Sequence, residues 1–308
     1  MIKYILKRIL LLLPVMLGVI LVVFTLMYVT PGDPVDSISG DQSTPEEREQ
    51  LRVQLGLDGG YFKRFYNYMS RLLKGDMGID YVTKQNVSER IMATFPVSVQ
   101  LAGASMLIAV VLGMSLGVVS AVKQYSIFDN VSMFLAMLGN AMPTFWQALL
   151  LMLFFALRLK WLPATGFDSW KHMILPAATL GTGSMAAIAR MTRSSMLEVI
   201  RQDYITTARA KGQTEIVITT RHALKNALIP VITTIGMQFG GLLGGAVLTE
   251  SIFGIPGVGK MMVDAIKLRN HSIVQGGVLT IAIAFSVVNL PVDILYAYVD
   301  PRIRSQYS

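Results

Sequence analysis

The sequence predicts an all-α integral membrane protein with six transmembrane helices, and three observations carry that expectation. Hydrophobic residues make up 53% of the 308 and charged residues only 15%, against roughly 25% charge in a soluble domain. Mean hydropathy is positive, at +0.54. The apolar residues are also drawn out into long charge-free runs, whereas the buried strands of a soluble α/β enzyme extend about 5 to 6 residues.

Six stretches lack Asp, Glu, Lys, Arg and His: Ile9 to Gly32, Ile91 to Val122, Asn130 to Leu157, Met173 to Ala189, Asn226 to Thr249, and Ser272 to Val292. Each is near or above the ~17 to 25 residues with which a helix crosses hydrocarbon. The first follows a basic start at Lys3, Lys7 and Arg8. It is too long for the apolar core of a cleavable signal peptide, and no A-x-A-like site follows, so it reads as a span. TPGDP at 30 to 34 is a turn-rich exit. Beyond it, Ser43 and Thr44 are N-cap candidates with Glu46 and Glu47 close behind, which predicts a helix there. Tyr61, Phe62, Phe65, Tyr66 and Tyr68 then cluster; an aromatic belt at the membrane surface accounts for them better than a ligand site.

In the second span Gly113 and Gly117 are four residues apart, the spacing that lets helix backbones approach closely. The third run reads as one helix. In the fourth, Pro176 lies near the start, so that the span shifts toward Arg190 or packs among the other helices. Gly236, Gly240 and Gly244, with Gly241 and Gly245, form a double ridge on the fifth, predicting a crowded contact within the chain or with a partner subunit. The sixth runs on past Asp293 toward Tyr298.

With the N-terminus in the cytosol, the inside segments hold thirteen basic residues and the short outer loops six. The positive-inside rule therefore places both ends in the cytosol, and that bias explains the net charge of +8 better than nucleic-acid binding does. The absence of cysteine excludes disulfides and thiolate metal sites. His172, His222 and His271 lie far apart, and no His/Asp/Glu cluster suggests a metal enzyme. The six runs contain no ionisable group, which disfavours an ion-coupled carrier, the main alternative class. Asn140, Gln147, Gln238 and Asn289 are polar groups inside the runs and candidates for a wet translocation pathway, although such groups bond neighbouring helices at least as often.

GIPGVGKM, residues 254 to 261, matches three of the four fixed positions of the phosphate-binding pattern GxxxxGK(S/T). Met261 stands where a hydroxyl would ligate magnesium, and a thioether is a poor ligand for so hard a cation. By the topology the stretch lies in an outer loop, away from cytosolic ATP. It reads as a Gly/Pro turn followed by a short helix over 258 to 266.

The longest inside segment, Arg190 to Lys225, carries two helical patterns about Gly212: Met196, Val199, Ile200, Ile205 and Ala208 before it, and Ile216, Ile218 and Ala223 after it. Gly212 reads as the C-cap glycine at their joint. A partly apolar 36-residue loop exposed to cytosol seeks a partner.

DYITTARAKG followed by RHALKNALIPVIT resembles the coupling loop of binding-protein-dependent ABC importer permeases, specifically the first permease of dipeptide, oligopeptide, nickel and glutathione systems. TPGDP, LGLD, GDMG, FPVS, WLPATG, ARMTRSSMLEV, ESIFGIPGVGK and VDILYAYVDPRIR extend the resemblance along the whole chain. Against the general E-A-A-x-x-x-G pattern the chain has Thr206, Thr207 and Ala208, a departure typical of this branch. The resemblance implies a type I importer permease fold without catalysis of its own, in the cytoplasmic (inner) membrane of a prokaryote. It also implies a second permease and two ATPase subunits that bind ATP and magnesium. An extracytosolic binding protein would deliver dipeptides or oligopeptides, with nickel, metal chelate or glutathione as alternatives. Asp203, Thr207, Ala208, Arg209, Ala210, Lys211 and Gly212 become the ATPase-coupling residues. The expected organisation is a cytosolic start and first span over 1–30, an extracytosolic segment over 31–96, a five-helix core over 97–299 and a cytosolic tail over 300–308.

Overall fold

The computed structural model describes residues 2–39 and 43–299. The tail from 300 to 308, with Arg302 and Arg304, lies outside the described residues. Among the described residues, five helices are long and apolar enough to cross a membrane: α1 (Ile2–Val29), α5 (Val87–Val122), α8 (Lys171–Ile200), α11 (Lys225–Phe253), which continues a helical run from Glu215, and α13 (His271–Val299).

The third expected span differs from its sequence reading. Asn130 to Leu157 is not one helix but two, α6 (Ile127–Ala141) and α7 (Thr144–Leu151), the latter prolonged by a π-helical stretch over Met152–Arg158. The two are bent by 106°. Met142, preceding Pro143, takes an extended backbone at φ −96° and ψ 138°, the region to which the pyrrolidine ring pushes its neighbour. Pro143 then opens α7 as its N-cap.

The fourth span does both things expected of it. It runs past Arg190 to Ile200, and it is the most enclosed of the spans. Its packing depends on missing side chains. A β-carbon on Gly117 of α5 would stand 2.6 Å from the Ala189 carbonyl oxygen, and one on Gly181 of α8 would stand 2.6 Å from that of Ser105. Such distances leave no room for alanine, so α5 and α8 touch backbone to backbone. Around this seam Leu101, Ala109, Leu180, Ile188, Val231 and Phe253 form the main core. The glycine ridge of α11 divides: Gly236 and Gly240 seat Val292, Phe285 and Asn289 of α13, whereas Gly241, Gly244 and Gly245 face open space.

Between α1 and α5 lie α2 (Pro34–Ile38), α3 (Pro45–Gln54) and α4 (Tyr61–Leu72). Thr44 caps α3 in a reciprocal capping box with Glu47, satisfying two orphan amide donors. The aromatic cluster splits by helical phase. Phe24 of α1 takes Tyr61 and Phe65 edge-on, at 5.4 and 5.1 Å between ring centroids, and stacks on Tyr68. Phe62 and Tyr66 point outward. The rings thus tie α4 to α1, a packing role the belt reading did not anticipate.

Asp80 fixes the end of this segment to the bundle. Its carboxylate is 1% exposed, pairs with Arg90, and accepts hydrogen bonds from Thr83 Oγ1 at 2.6 Å, Val82 N at 2.9 Å and Asn270 Nδ2 at 2.6 Å. Burial works to raise the carboxyl, but the bonds from Thr83, Val82 and Arg90 outweigh it and hold it below the ordinary carboxylate value. A depressed folded-state value means stability that is present above the unfolded value of ~3.9 and lost as pH falls through the folded one. The protection of the amides around residues 79–86 against hydrogen exchange, relative to their intrinsic rates at each pH, is therefore expected to fall below about pH 4. Asp80→Asn is expected to remove that pH dependence and to cost about 1–3 kcal/mol at neutral pH; an unchanged acid profile in the variant counts against Asp80 as the anchor.

Candidate functional site

Helix α8 ends at Ile200, and α9 (Asp203–Ala210) turns across its end. Ile205 and Ala208, three residues apart, face inward into a cluster with Ala121, Met196, Ile218, Ala223 and Ala227. Gly212 follows with φ +77°, a left-handed conformation that costs a β-carbon-bearing residue about 1–2 kcal/mol. Its N–H donates to the Arg209 carbonyl at 3.0 Å, closing α9. The chain then enters α10 (Glu215–Val217), passes through a π-helical turn over Ile218–Leu224, and becomes α11 without a break.

Polar contacts staple the two arms. The Arg209 guanidinium meets Glu215 with two parallel bonds of 2.6 and 3.1 Å across the Gly212 turn. His222 Nε2 and Gln213 Oε1 lie 2.6 Å apart, and Asn226 Nδ2 donates to the Tyr204 hydroxyl at 2.9 Å. The two arms are thus bonded to each other, and Glu215 to Phe253 is a single helical run. Of the coupling candidates, Asp203, Thr207, Arg209, Ala210, Lys211 and Gly212 are exposed. Ala208 is the exception at 8% exposure; it packs against the chain's own core. Ile216, 77% exposed beyond the turn, extends the open surface and was not among the candidates.

The phosphate-loop lookalike lies at the far end of α11. There the acceptor is already present, and it belongs to the chain. Glu250 is fully buried and accepts from Ser98 Oγ at 2.6 Å and from the Lys260 amide at 3.0 Å, at the start of α12 (Val258–Lys267). Ser98 Oγ accepts in turn from the Val258 amide at 2.9 Å. A helix N-terminus is a ready anion site, and this one is filled by a carboxylate from the preceding helix. A β-carbon on Gly257 would fall 2.3 Å from the Glu250 carboxyl carbon. The Lys260 ammonium turns away to Asp264, 2.5 Å distant, and Met261 is buried among Val87, Ile91 and Ile273. The Gly166 amide of WLPATG closes the other side on the Phe253 carbonyl at 3.0 Å.

The candidate pathway residues do not form one site. Gln147 is buried and donates to Thr182 Oγ1 of α8 at 2.6 Å, so it joins helices. Asn289 donates to the Phe285 carbonyl of its own helix and packs on Gly240. Asn140 is exposed and Gln238 half-buried. Sequence reasoning also missed the pair Asp129 and Arg193, joined by two bonds of 2.9 and 2.8 Å. Ser120 and the Tyr125 amide donate to the same carboxylate, so it holds α5, α6 and α8 together. Asp129 stood in the sequence only as the boundary of a charge-free run.

A bundle of long apolar helices, with a further helix pair bent at Pro143 and a stapled helical elbow continuous with another helix, fits the membrane-embedded permease class. More narrowly, the chain belongs to the family described as binding-protein-dependent transport system inner membrane component, which it matches over residues 95–305, with the family's N-terminal component over 1–102. It is 43% identical to the dipeptide transport system permease protein DppB of Alkalihalophilus pseudofirmus, over 99% of this chain and 100% of that one. It is 42% identical to the glutathione transport system permease protein GsiC of Salmonella choleraesuis, over 99% of both chains. A permease fold is shared with a chain of the MetNI methionine ABC transporter, at TM-score 0.54 and 18% identity, covering 67% of this chain and 95% of that one. A chain of an amino acid ABC transporter aligns with TM-score 0.51 and 14% identity, covering 70% and 94%.

Proposed function

We propose that this chain forms half of the pore of an ATP-driven importer for dipeptides, with glutathione as the second candidate substrate. The observation that carries the mechanism is the elbow about Gly212: exposed on one side, packed on the other, and continuous with α11. The Gly212 end faces the cytosol, where ATPase subunits holding ATP and magnesium dock on Asp203, Thr207, Arg209, Ala210, Lys211 and Ile216. Closure of the ATPase pair drives the elbow, and α11 moves with it; two packings of the bundle biased from outside itself suffice for alternating access. The opposite end, with the Glu250 joint and the Asp80 anchor, faces the extracytosolic binding protein. Full-length identity to dipeptide and glutathione permeases supports the substrate class. Gly241, Gly244 and Gly245, bare on α11, offer a close-approach surface to the second permease.

The test is to extract the tagged chain from its native membrane in mild detergent and identify by mass spectrometry what accompanies it. A second permease and Walker-motif ATPases are expected. Recovery alone or as a homo-oligomer, under conditions where other membrane complexes survive, removes the importer reading and favours the ion-driven carrier.

A further inference from the structure

A cavity of about 550 Å3 lies between the last turn of α1, the helices α3 and α4, and the first residue of α13. Its depth is fixed by α1. The apolar span runs 22 residues from Arg8 to Val29, about 33 Å at ~1.5 Å per residue, against a hydrocarbon core of roughly 30 Å. With Arg8 at one boundary, Met27, Tyr28 and Thr30, which line the cavity, stand at the other. That is the level of lipid headgroups. α1 is also the least enclosed of the five long spans. Its exposed Val22, Leu26 and Val29 form a stripe at helical spacing that ends beside the cavity.

The polar lining holds groups of two kinds. Its three carboxylates are committed: Asp33 pairs with Arg52, Glu49 meets the same guanidinium at 3.3 Å, and Asp58 takes Lys63 at 2.6 Å. Two donors are not. His271 lines the cavity while only 7% exposed, and its ring makes no hydrogen bond to any described residue. A buried polar side chain in that state is exceptional, and it wants a partner from the cavity itself. The Arg64 guanidinium lies over the Tyr28 ring, 5.1 Å from its centroid, and has neither an acidic partner nor a hydrogen bond among the described residues. Beside them the Arg269 guanidinium rests against Gly32, bonded to the Pro31 carbonyl. The three carboxylates are thus answered by four cations, Arg52, Lys63, Arg64 and Arg269, which leaves one positive charge in excess with His271 counted as neutral.

We propose that this cavity binds the headgroup of an anionic phospholipid, its phosphate diester between Arg64 and His271 and its acyl chains along the exposed stripe of α1. The guanidinium offers paired N–H donors to phosphate oxygens, and a neutral imidazole supplies one more. The phosphate brings the single negative charge that the cavity lacks. A peptide carboxylate would match the charge but not the place, since it has no use for an apolar stripe on the least enclosed span. Bound there, the lipid ties α1 to α13 and to the helices that follow α1. The proposal needs only that α1 crosses the membrane, and it is independent of what the permease carries.

The full chain, extracted in mild detergent with the subunits that accompany it and stripped of lipid, is titrated with phosphatidylglycerol, and retained lipid is counted by native mass spectrometry. One phosphatidylglycerol is expected to be held about tenfold more tightly than phosphatidylcholine, the scale of one charge-assisted contact. Arg64→Gln is expected to abolish that difference, His271→Ala to reduce it, and Arg64→Lys to keep most of it. Glu49→Gln changes a side chain 62% exposed at the rim. It is expected to act in the opposite direction, tightening retention by about threefold, and it tests the charge of the site without touching buried packing. Lys74→Gln, at an exposed lysine just past α4, is expected to change nothing. Phosphatidylcholine held as tightly as phosphatidylglycerol, an equal loss on Lys74→Gln, or a loss on Glu49→Gln overturns the proposal. Displacement of the lipid by millimolar inorganic phosphate, or by a dipeptide with a free carboxylate, assigns the cavity to a soluble anion and overturns it equally.

Discussion

Gly212→Asp leaves the chain folded and membrane-inserted, and the ATPase subunits no longer come with it: that is the expected result. Left-handed backbone is tolerated by Asp better than by most residues carrying a β-carbon. A β-carbon at Gly212 meets nothing within 4 Å. The cost to the fold is therefore about 1 kcal/mol or less, and the elbow keeps its cluster of Ile205, Ala208 and Ile218. What changes is the outer surface, where a carboxylate now projects between Lys211 and the exposed Ile216. At the centre of a docked interface a new buried charge weakens binding by about 100-fold or more. Gly212→Ala adds somewhat more backbone strain, about 1–2 kcal/mol, without charge, and is expected to retain most docking. Recovery of the ATPase with the aspartate variant, measured by pull-down from the same membranes, would mean that the partner sits elsewhere. Loss with both variants would trace the defect to the turn and not to its surface.

The spans were legible because hydrocarbon imposes a minimum length of apolar chain. The break in the third was not. Pro14, Pro96, Pro176, Pro230 and Pro291 all lie inside continuous helices, so proline as a residue type does not announce a break. Pro143 differs in opening a new helix whose buried face, Gln147 and Ala148, points at α8, and only tertiary packing selects that. The Gly212 elbow was readable because its signal is local: apolar residues at helical spacing on either side of one glycine. The same spacing turns Ile205 and Ala208 inward together. The joints made by Asp80 with Asn270, Asp129 with Arg193, and Glu250 with Ser98 each pair residues 64 to 190 positions apart, a distance no local pattern spans. Glu250 carried a further disguise, since it stands one residue past a charge-free run and reads as the boundary of a helix.

Glu250→Ala is expected to cause the largest loss of stability of any single change at the joint between α11 and α12. The carboxylate ties three segments, α5 through Ser98, the end of α11, and the first turn of α12. Alanine leaves the Lys260 amide and the Ser98 hydroxyl without their acceptor in a space closed to water, and adds a cavity the size of the lost side chain. Leaving buried donors without their acceptor and opening a cavity of that size costs about 2–5 kcal/mol, which corresponds to a fall in melting temperature on the order of 10 °C. Glu250→Gln keeps the shape and one strong acceptor, and is expected to cost about 1–2 kcal/mol. The close approach of Gly257 sharpens the test, because a β-carbon there would collide with the carboxyl group. Gly257→Ala should thus destabilise the wild type and be partly relieved in the Glu250→Ala background, a coupling measurable by thermal melting of the four proteins of the double-mutant cycle. Additive effects would show that Gly257 and Glu250 act independently. A Glu250→Ala variant as stable as wild type would show that the helix start of α12 is satisfied by other means, and that the likeness of this loop to a phosphate-binding turn reflects backbone geometry alone.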